Sequence, residues 1–162
     1  MRFVTADTHF GHANIIKYCD RPFLNTHEMN KTLITNWNAV VKPTDEVWHL
    51  GDFALTGRDE MAGIFNQLNG KINLILGNHD RSQWGMAEVG FGIVTHEAVL
   101  NGTYLTHDPI EARARSKPAL VGHVHEKWKT KFGCVNVGVD QWDYHPIPWA
   151  TAVSLLHAGG ED

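Results

Sequence analysis

Aspartate, asparagine and histidine stand at the ends of a series of apolar runs. Asp7 and His9 close "RFVTADTH", Asp52 closes "VWHLGD", Asn78, His79 and Asp80 close "INLILGNHD", His107 closes "TYLTHD", and His123 and His125 close "ALVGHVH". A lone histidine at a strand end is more often a packed rim residue than a ligand, but the same few residue types at every end point to a shared purpose. Imidazole, carboxylate and one amide, without thiolate, suit intermediate divalent ions such as Mn, Fe, Zn, Ni or Co and argue against an all-oxygen calcium site. The donors are too many for one ion. Two ions about 3.5 to 4 Å apart, bridged by a carboxylate, would use them, and Asp52 is the natural bridge because Gly51 before it lets the backbone come close.

Such a pair of ions fits phosphoester hydrolysis. The substrate is an anion that repels a nucleophile, and water is a weak one; two cations offset the first difficulty and lower the pKa of bound water against the second. The expected reaction is direct, in-line attack of a metal-bridging hydroxide on phosphorus, with no covalent enzyme intermediate.

Donors from so many runs can meet only if the runs lie side by side. Apolar segments at 2–6, 46–50, 72–76, 92–95, 98–101, 103–106, 118–122, 132–137 and 151–156 read as strands, and their alternation with helical patterns predicts an α/β fold with a mainly parallel sheet. In such a sheet the carboxyl ends of the strands open onto one crevice. Asn25, Thr26 and Glu28 mark the start of a helix that buries Met29, Leu33, Trp37 and Val40 or Val41, with Pro43 past its end. A second helix, 58–68, buries Met61, Ile64, Phe65 and Leu68 before Gly70 stops it. Asn101-Gly102 predicts a two-residue hairpin, so the carboxyl half is more antiparallel.

The composition is ordinary for a globular chain: 162 residues, 43% hydrophobic, 20% charged and a net charge of -4. That length predicts one domain, 1–158, with a disordered tail at 159–162 inside "HAGGED". The negative balance gives no general attraction to nucleic acid or to anionic membranes, and no run is long and apolar enough for a membrane span. No secretory signal is visible at the amino terminus, and Cys19 and Cys134 are too sparse for a disulfide framework, so the expected location is cytoplasmic. Histidine is unusual in number, at 11.

The order Asp7-Thr8-His9, Gly51-Asp52, Gly77-Asn78-His79-Asp80, His107 and Gly122-His123-Val124-His125 resembles the signature of the calcineurin-like metallophosphoesterases. The flanks "DTHFGHANIIKYCDRPF", "EVWHLGDFAL" and "NVGVDQWDYHPI" are similar to a small, compact bacterial and phage branch of that superfamily. The resemblance implies two packed mixed β-sheets flanked by helices, a four-layer αββα sandwich. It implies one ion on Asp7, His9, Asp52 and His125 and a second on Asp52, Asn78, His107 and His123, with manganese the foremost choice. It further implies that His79 faces the substrate as general acid or phosphoryl donor, with Asp80 orienting it.

Around this set, Arg81 is a candidate phosphate clamp and His12 a candidate substrate contact, although a helix-start or ligand-orienting role suits His12 better. His49 should point away from the metals, because neighbouring strand residues face opposite sides. His27, His96, His145 and His157 read as structural, and Trp128, Trp142, Tyr144 and Trp149 as core or edge cover rather than a base-stacking platform. The basic set Arg113, Arg115, Lys117, Lys127, Lys129 and Lys131 is placed by sequence beside the His107 and His123 loops, where it could hold a polyanion; alternate lysines in "KWKTK" also suit a guarded edge strand. The expected substrate is a small phosphoester, nucleotide-like in kind, since a chain this short has little room for a large specificity cap. A nuclease or nucleic-acid end-processing enzyme is the alternative, and a non-catalytic scaffold comes last.

Overall fold

The first apolar run becomes the second strand of a five-stranded sheet, because its alternate side chains are apolar on both faces and both faces are covered. The computed structural model describes residues 1–159. In chain order the elements are β1 (Arg2–Thr5), α1 (Ala13–Tyr18), α2 (Thr26–Val40), β2 (Glu46–His49), α3 (Arg58–Phe65), β3 (Lys71–Ile75), α4 (Gln83–Val89), β4 (Val94–Thr95), β5 (Glu97–Leu100), β6 (Thr103–Thr106), α5 (Pro109–Ala114), β7 (Ala119–Val121), β8 (Thr130–Lys131), β9 (Cys134–Asn136), β10 (Ile147–Pro148) and α6 (Trp149–Ala158). One sheet has the order β10-β1-β2-β3-β4 and the other β5-β6-β7-β9-β8. The first is parallel except for β10, whose Pro148 sits at the edge, where a missing N–H costs no ladder bond. The second is mixed, with antiparallel pairs at both ends.

Packing follows the strand period of two. Val47 faces the helices while Trp48 and Leu50 face the other sheet, where they meet Val4, Ile75, Leu105, Leu120 and Val135. On the outer side of the first sheet, Met29, Leu33, Trp37 and Val41 of the α2 segment join Met61, Ile64, Met86 and Phe91 in one core. The outer side of the second sheet is covered more lightly, by α5 and Trp128 over Tyr104, Ala119 and Val121. Among the described residues no helix is long and apolar enough to cross a membrane.

The α2 start is as expected, with the Asn25 side chain accepting the Glu28 N–H at 2.9 Å. The run 151–156 is not a strand. It lies inside α6, where the buried Ala152 and Leu156 are four residues apart and so share one helical face; a short apolar run does not by itself separate strand from helix. Of the expected tail, Gly159 forms the C-cap of α6, and the rest from Gly160 lies outside the described residues. His12 stands at the start of α1 as its N-cap, without a side-chain capping bond, whereas α4 and α5 have no counterpart in the expected helices, although Ser82 and Asp108 cap them through Gly85 N–H and Ile110 N–H.

Candidate metal centre

The loops after β1, β2, β3, β6 and β7 meet at the carboxyl end of the sandwich. Two of them are zipped together by backbone, Asp7 N–H donating to Gly51 O at 2.9 Å and His9 N–H to Asp52 O at 3.0 Å. Asp7, His9, Asp52, His123 and His125 all take left-handed backbone, with φ of 56, 51, 56, 72 and 46°. Non-glycine residues in that region cost free energy and persist where the surroundings impose them. Here the turn swings each donor off its strand line toward a common point. Gly51 is there because nothing larger fits: at φ 99°, a Cβ would lie 2.5 Å from His107 Nδ1 and 2.7 Å from Gly77 Cα.

Two donor groups result, Asp7 with His9 and His125, and Asp52 with His107 and His123; within each, the ligand atoms lie within 4.8 Å of one another. Asp52 stands between them, its Oδ2 at 3.4 Å from both His9 Nε2 and His107 Nε2. Asn78 Oδ1 is 3.0 Å from His107 Nε2 and 3.1 Å from His123 Nδ1. The ring nitrogens that face away are held by protein: His9 Nδ1 is 3.1 Å from His12 Nδ1, His107 Nδ1 donates to Leu50 O at 2.7 Å, and His125 Nδ1 lies 3.1 Å from Asp140 Oδ2. Holding one imidazole nitrogen fixes the tautomer and aims the other, as in metal-ligating histidines.

The test of fit is in the buried atoms. Among the described residues Asp7 Oδ1 and His9 Nε2 find no hydrogen-bond partner, although both residues are buried. An unsatisfied buried polar atom costs about 1–3 kcal/mol, and a divalent cation would satisfy both at once. The residues present therefore fit metal ions.

Their electrostatics follow from burial and from one another. Burial pushes the Asp7 carboxyl up to about 6, against the pull of His107 and His125. Burial lowers His9 to about 4. For Asp52 burial is outweighed by the His107 and His9 imidazoles beside it, which hold its carboxyl well below the usual carboxylate range. For His107 burial is outweighed by Asp52 and Asp7, which raise it to about 9.

Sequence reasoning missed the supports. Buried Arg21 donates through Nη2 to Asp7 O at 2.7 Å and through Nη1 to Thr8 O at 2.9 Å, and grips Asp140 with Nε and Nη2 at 2.9 Å each. Asp140 in turn holds His125, so one guanidinium braces the first donor group from behind. Asn136 Nδ2 and Gln141 Nε2 donate to His125 O at 2.8 and 3.0 Å. Both lie within flanks that carry the family resemblance, but nothing in the adjacent residues assigns either a role, because each has its partner 119 residues away. His49 does face the helices, its ring over Trp37, and its Nδ1 accepts the Gly51 N–H while its Nε2 meets Thr8 Oγ1 at 2.9 Å.

His79 is exposed, its ring centroid 5.5 Å from that of His9 and 6.2 Å from that of His12. The expectation that Asp80 orients the His79 ring needs correction. The Asp80 carboxylate accepts backbone N–H groups of Asp52, Phe53 and Gly77, at 2.8, 2.9 and 2.8 Å, and among the described residues no hydrogen bond joins it to that ring. Arg81 reaches Thr56 O at 3.4 Å and lines neither cleft beside the donors.

Those clefts flank the centre. One, of about 450 Å³, is lined by His9, His12, His79, His125, Tyr18 and Lys127 among others. The second, of about 670 Å³, is lined by Asn78, His107, His123, Asp108, Glu111 and Arg115 among others. The basic set therefore divides: Lys127 and Arg115 reach the clefts, whereas Arg113 and Lys131 lie against Phe132 and Lys117 lines the groove beside it, with its Nζ 6.0 Å from the Tyr104 ring centroid. Trp128, Trp142, Tyr144 and Trp149 pack against the three cores.

Fold and site together define an α/β sandwich of two mixed five-stranded sheets whose strand ends converge on clustered aspartate and histidine that could hold metal. The chain belongs to the same family as the uncharacterized protein MJ1445 of Methanocaldococcus jannaschii, with 36% identity over 170 residues, 97% of this chain and 92% of that one. No protein-family model matches it. The crystal structure of a protein of unknown function, AQ665 from Aquifex aeolicus, superposes with a TM-score of 0.72 and 26% identity over 96% of this chain and 98% of its own. The Gene 66 protein of Mycobacterium phage L5 is 34% identical over 79 residues, 47% of this chain and 38% of the phage protein. A novel archaeal phosphodiesterase aligns at a TM-score of 0.48 and 20% identity over 85% of this chain and 82% of its own, a likeness that identifies no reaction.

Proposed function

We propose that this protein is a metal-dependent phosphoester hydrolase of the calcineurin-like metallophosphoesterase class, using two divalent ions, manganese foremost. The observation that carries the reading is Asp52 Oδ2 set 3.4 Å from an imidazole of each donor group, beside two buried donor atoms that lack partners among the described residues. Asp7, His9, Asp52 and His125 would hold one ion, and Asp52, Asn78, His107 and His123 the other. When bound, such a pair neutralises a phosphoester and makes water nucleophilic near neutral pH.

The chain's own residues supply the rest. His79, exposed in the cleft that also holds His12 and Lys127, gives a proton to the leaving oxygen or a hydrogen bond to the phosphoryl group. His12 steadies His9 through their facing Nδ1 atoms. Tyr18 and Leu55 give the cleft an apolar margin suited to a nucleotide-like leaving group. Both clefts are open at the surface, which favours small or end-presented phosphoesters.

The test is a panel of model phosphomonoesters, phosphodiesters, cyclic nucleotides and single-stranded DNA, with Mn, Fe, Zn, Ni and Co varied independently. Metal-dependent turnover of at least one class is expected, together with metal retained after dialysis. No turnover with any ion and no retained metal would refute the reading.

A further inference from the structure

The protein builds one kind of hairpin turn twice, with different residues. Between β5 and β6 the turn is Asn101-Gly102, at φ 50 and 79°, with Leu100 paired to Thr103. Between β8 and β9 it is Phe132-Gly133, at φ 56 and 70°, with Lys131 paired to Cys134. Positive φ at both central residues is the type I′ requirement, which Asn-Gly meets well and a phenylalanine meets poorly. Phe132 is also 55% exposed, so burial does not explain it.

What surrounds the ring is positive charge. The Arg113 guanidinium, brought from α5, lies 4.4 Å from the ring centroid, and Lys131 Nζ lies 4.9 Å away. Lys117 lines the same groove, of about 350 Å³. Among the described residues none of these cations forms an ion pair with a carboxylate, whereas Arg115 is taken by Glu97. Upstream, the segment leaving His125 carries Lys127 into the cleft beside the metal donors and Lys129 to 4.1 Å from the Trp142 ring, then enters β8, the outermost strand of its sheet. A guarded edge accounts for alternating lysines. It does not account for an exposed aromatic in a strained turn, nor for an arginine gathered to it from another element.

We infer that this edge is a binding track for single-stranded nucleic acid, DNA or RNA, running from the metal-side cleft to the hairpin tip. Arg113, Lys117, Lys129 and Lys131 hold backbone phosphates, and Phe132 offers a stacking edge to a base, the combination that non-sequence-specific single-strand binders use. The track deepens the phosphoesterase reading and rests on it for what becomes of the strand; binding itself needs no metal.

The test measures fluorescence anisotropy of labelled single-stranded DNA and RNA with the full chain in EDTA, beside hydrolysis of bis(p-nitrophenyl) phosphate with metal. Phe132→Asn should weaken oligonucleotide binding by roughly 5- to 150-fold, the range of one base stack, while thermal stability stays level or rises because Asn-Gly suits the turn. The double variant Arg113→Gln/Lys131→Gln should lower affinity and flatten the plot of log K against log salt by roughly 0.7 for each phosphate left without its cation. Hydrolysis of the small diester should not change in either. Wild-type affinity in both variants, or no binding by the wild type at low salt, overturns the track and leaves the phosphoesterase reading standing. Binding that depends on these residues, in a protein that hydrolyses no phosphoester with any metal, supports the track and removes the phosphoesterase reading.

Discussion

Asp80 Oδ2 accepts the backbone N–H of Asp52 at 2.8 Å, so the residue after His79 serves the loop that carries the central carboxylate. With Oδ1 on Phe53 and Oδ2 also on Gly77, both oxygens are spent on backbone donors. Asp80→Asn would turn an amide NH₂ against at least one of those N–H groups. We expect a loss of about 1–3 kcal/mol in urea unfolding, with weaker metal retention, rather than a selective effect on poor leaving groups.

Asp52→Asn removes the charge placed between the two donor groups. Elemental analysis should find at least one ion fewer per chain, and turnover should fall further than in His9→Ala. Two ions and an unchanged rate would show that the centre is not bridged by this residue.

The His79 ring makes no hydrogen bond to any proposed metal ligand among the described residues; only its backbone N–H reaches Asp52 Oδ1, at 2.9 Å. His79→Ala is therefore expected to keep its metal content and lose roughly 10²- to 10⁴-fold in turnover, the span of a general acid. The loss should be smaller for p-nitrophenyl esters than for nucleoside esters, whose alkoxide leaves poorly; equal losses would make His79 a stabiliser of the phosphoryl oxygens.

Metal binding should release protons. Asp7 is raised to about 6 and His107 to about 9 in the metal-free protein, and both must lose their protons to become ligands, so affinity should climb between pH 6 and 9. A raised histidine stabilises the fold below its unfolded value of 6.5, and that stabilisation is lost as pH rises toward 9. The thermal shift produced by added Mn should accordingly grow from pH 6.5 to 9. Calorimetric titration in buffers of different ionisation enthalpy measures the protons directly.

Arg21→Met leaves the Asp140 carboxylate and the carbonyls of Asp7 and Thr8 buried without their donor. Breaking a buried pair from one side costs about 3–5 kcal/mol, to be read from chemical denaturation. Metal retention should fall with it, because the same guanidinium supports the loop of Asp7 and, through Asp140, the ring of His125.

The convergence of these aspartates and histidines was legible because each closes an apolar run, and parity along β2 sufficed to turn His49 toward the helices. The α2 cap and the Asn101-Gly102 turn were legible for the same reason: their determinants lie within a few residues of one another. Tertiary structure decided what depends on distant partners. Arg21 and Asp140 meet across 119 positions, Asp80 is claimed by the backbone of Asp52 rather than by the neighbouring His79, and Arg113 leaves the His107 and His123 loops for Phe132. The run 151–156 had the composition of a strand but became a helix, with Ala152 and Leu156 against the β-sheets. Period and capping are written in adjacent residues, whereas the partner of a buried charge is chosen by whichever segment folding brings within about 3 Å of it.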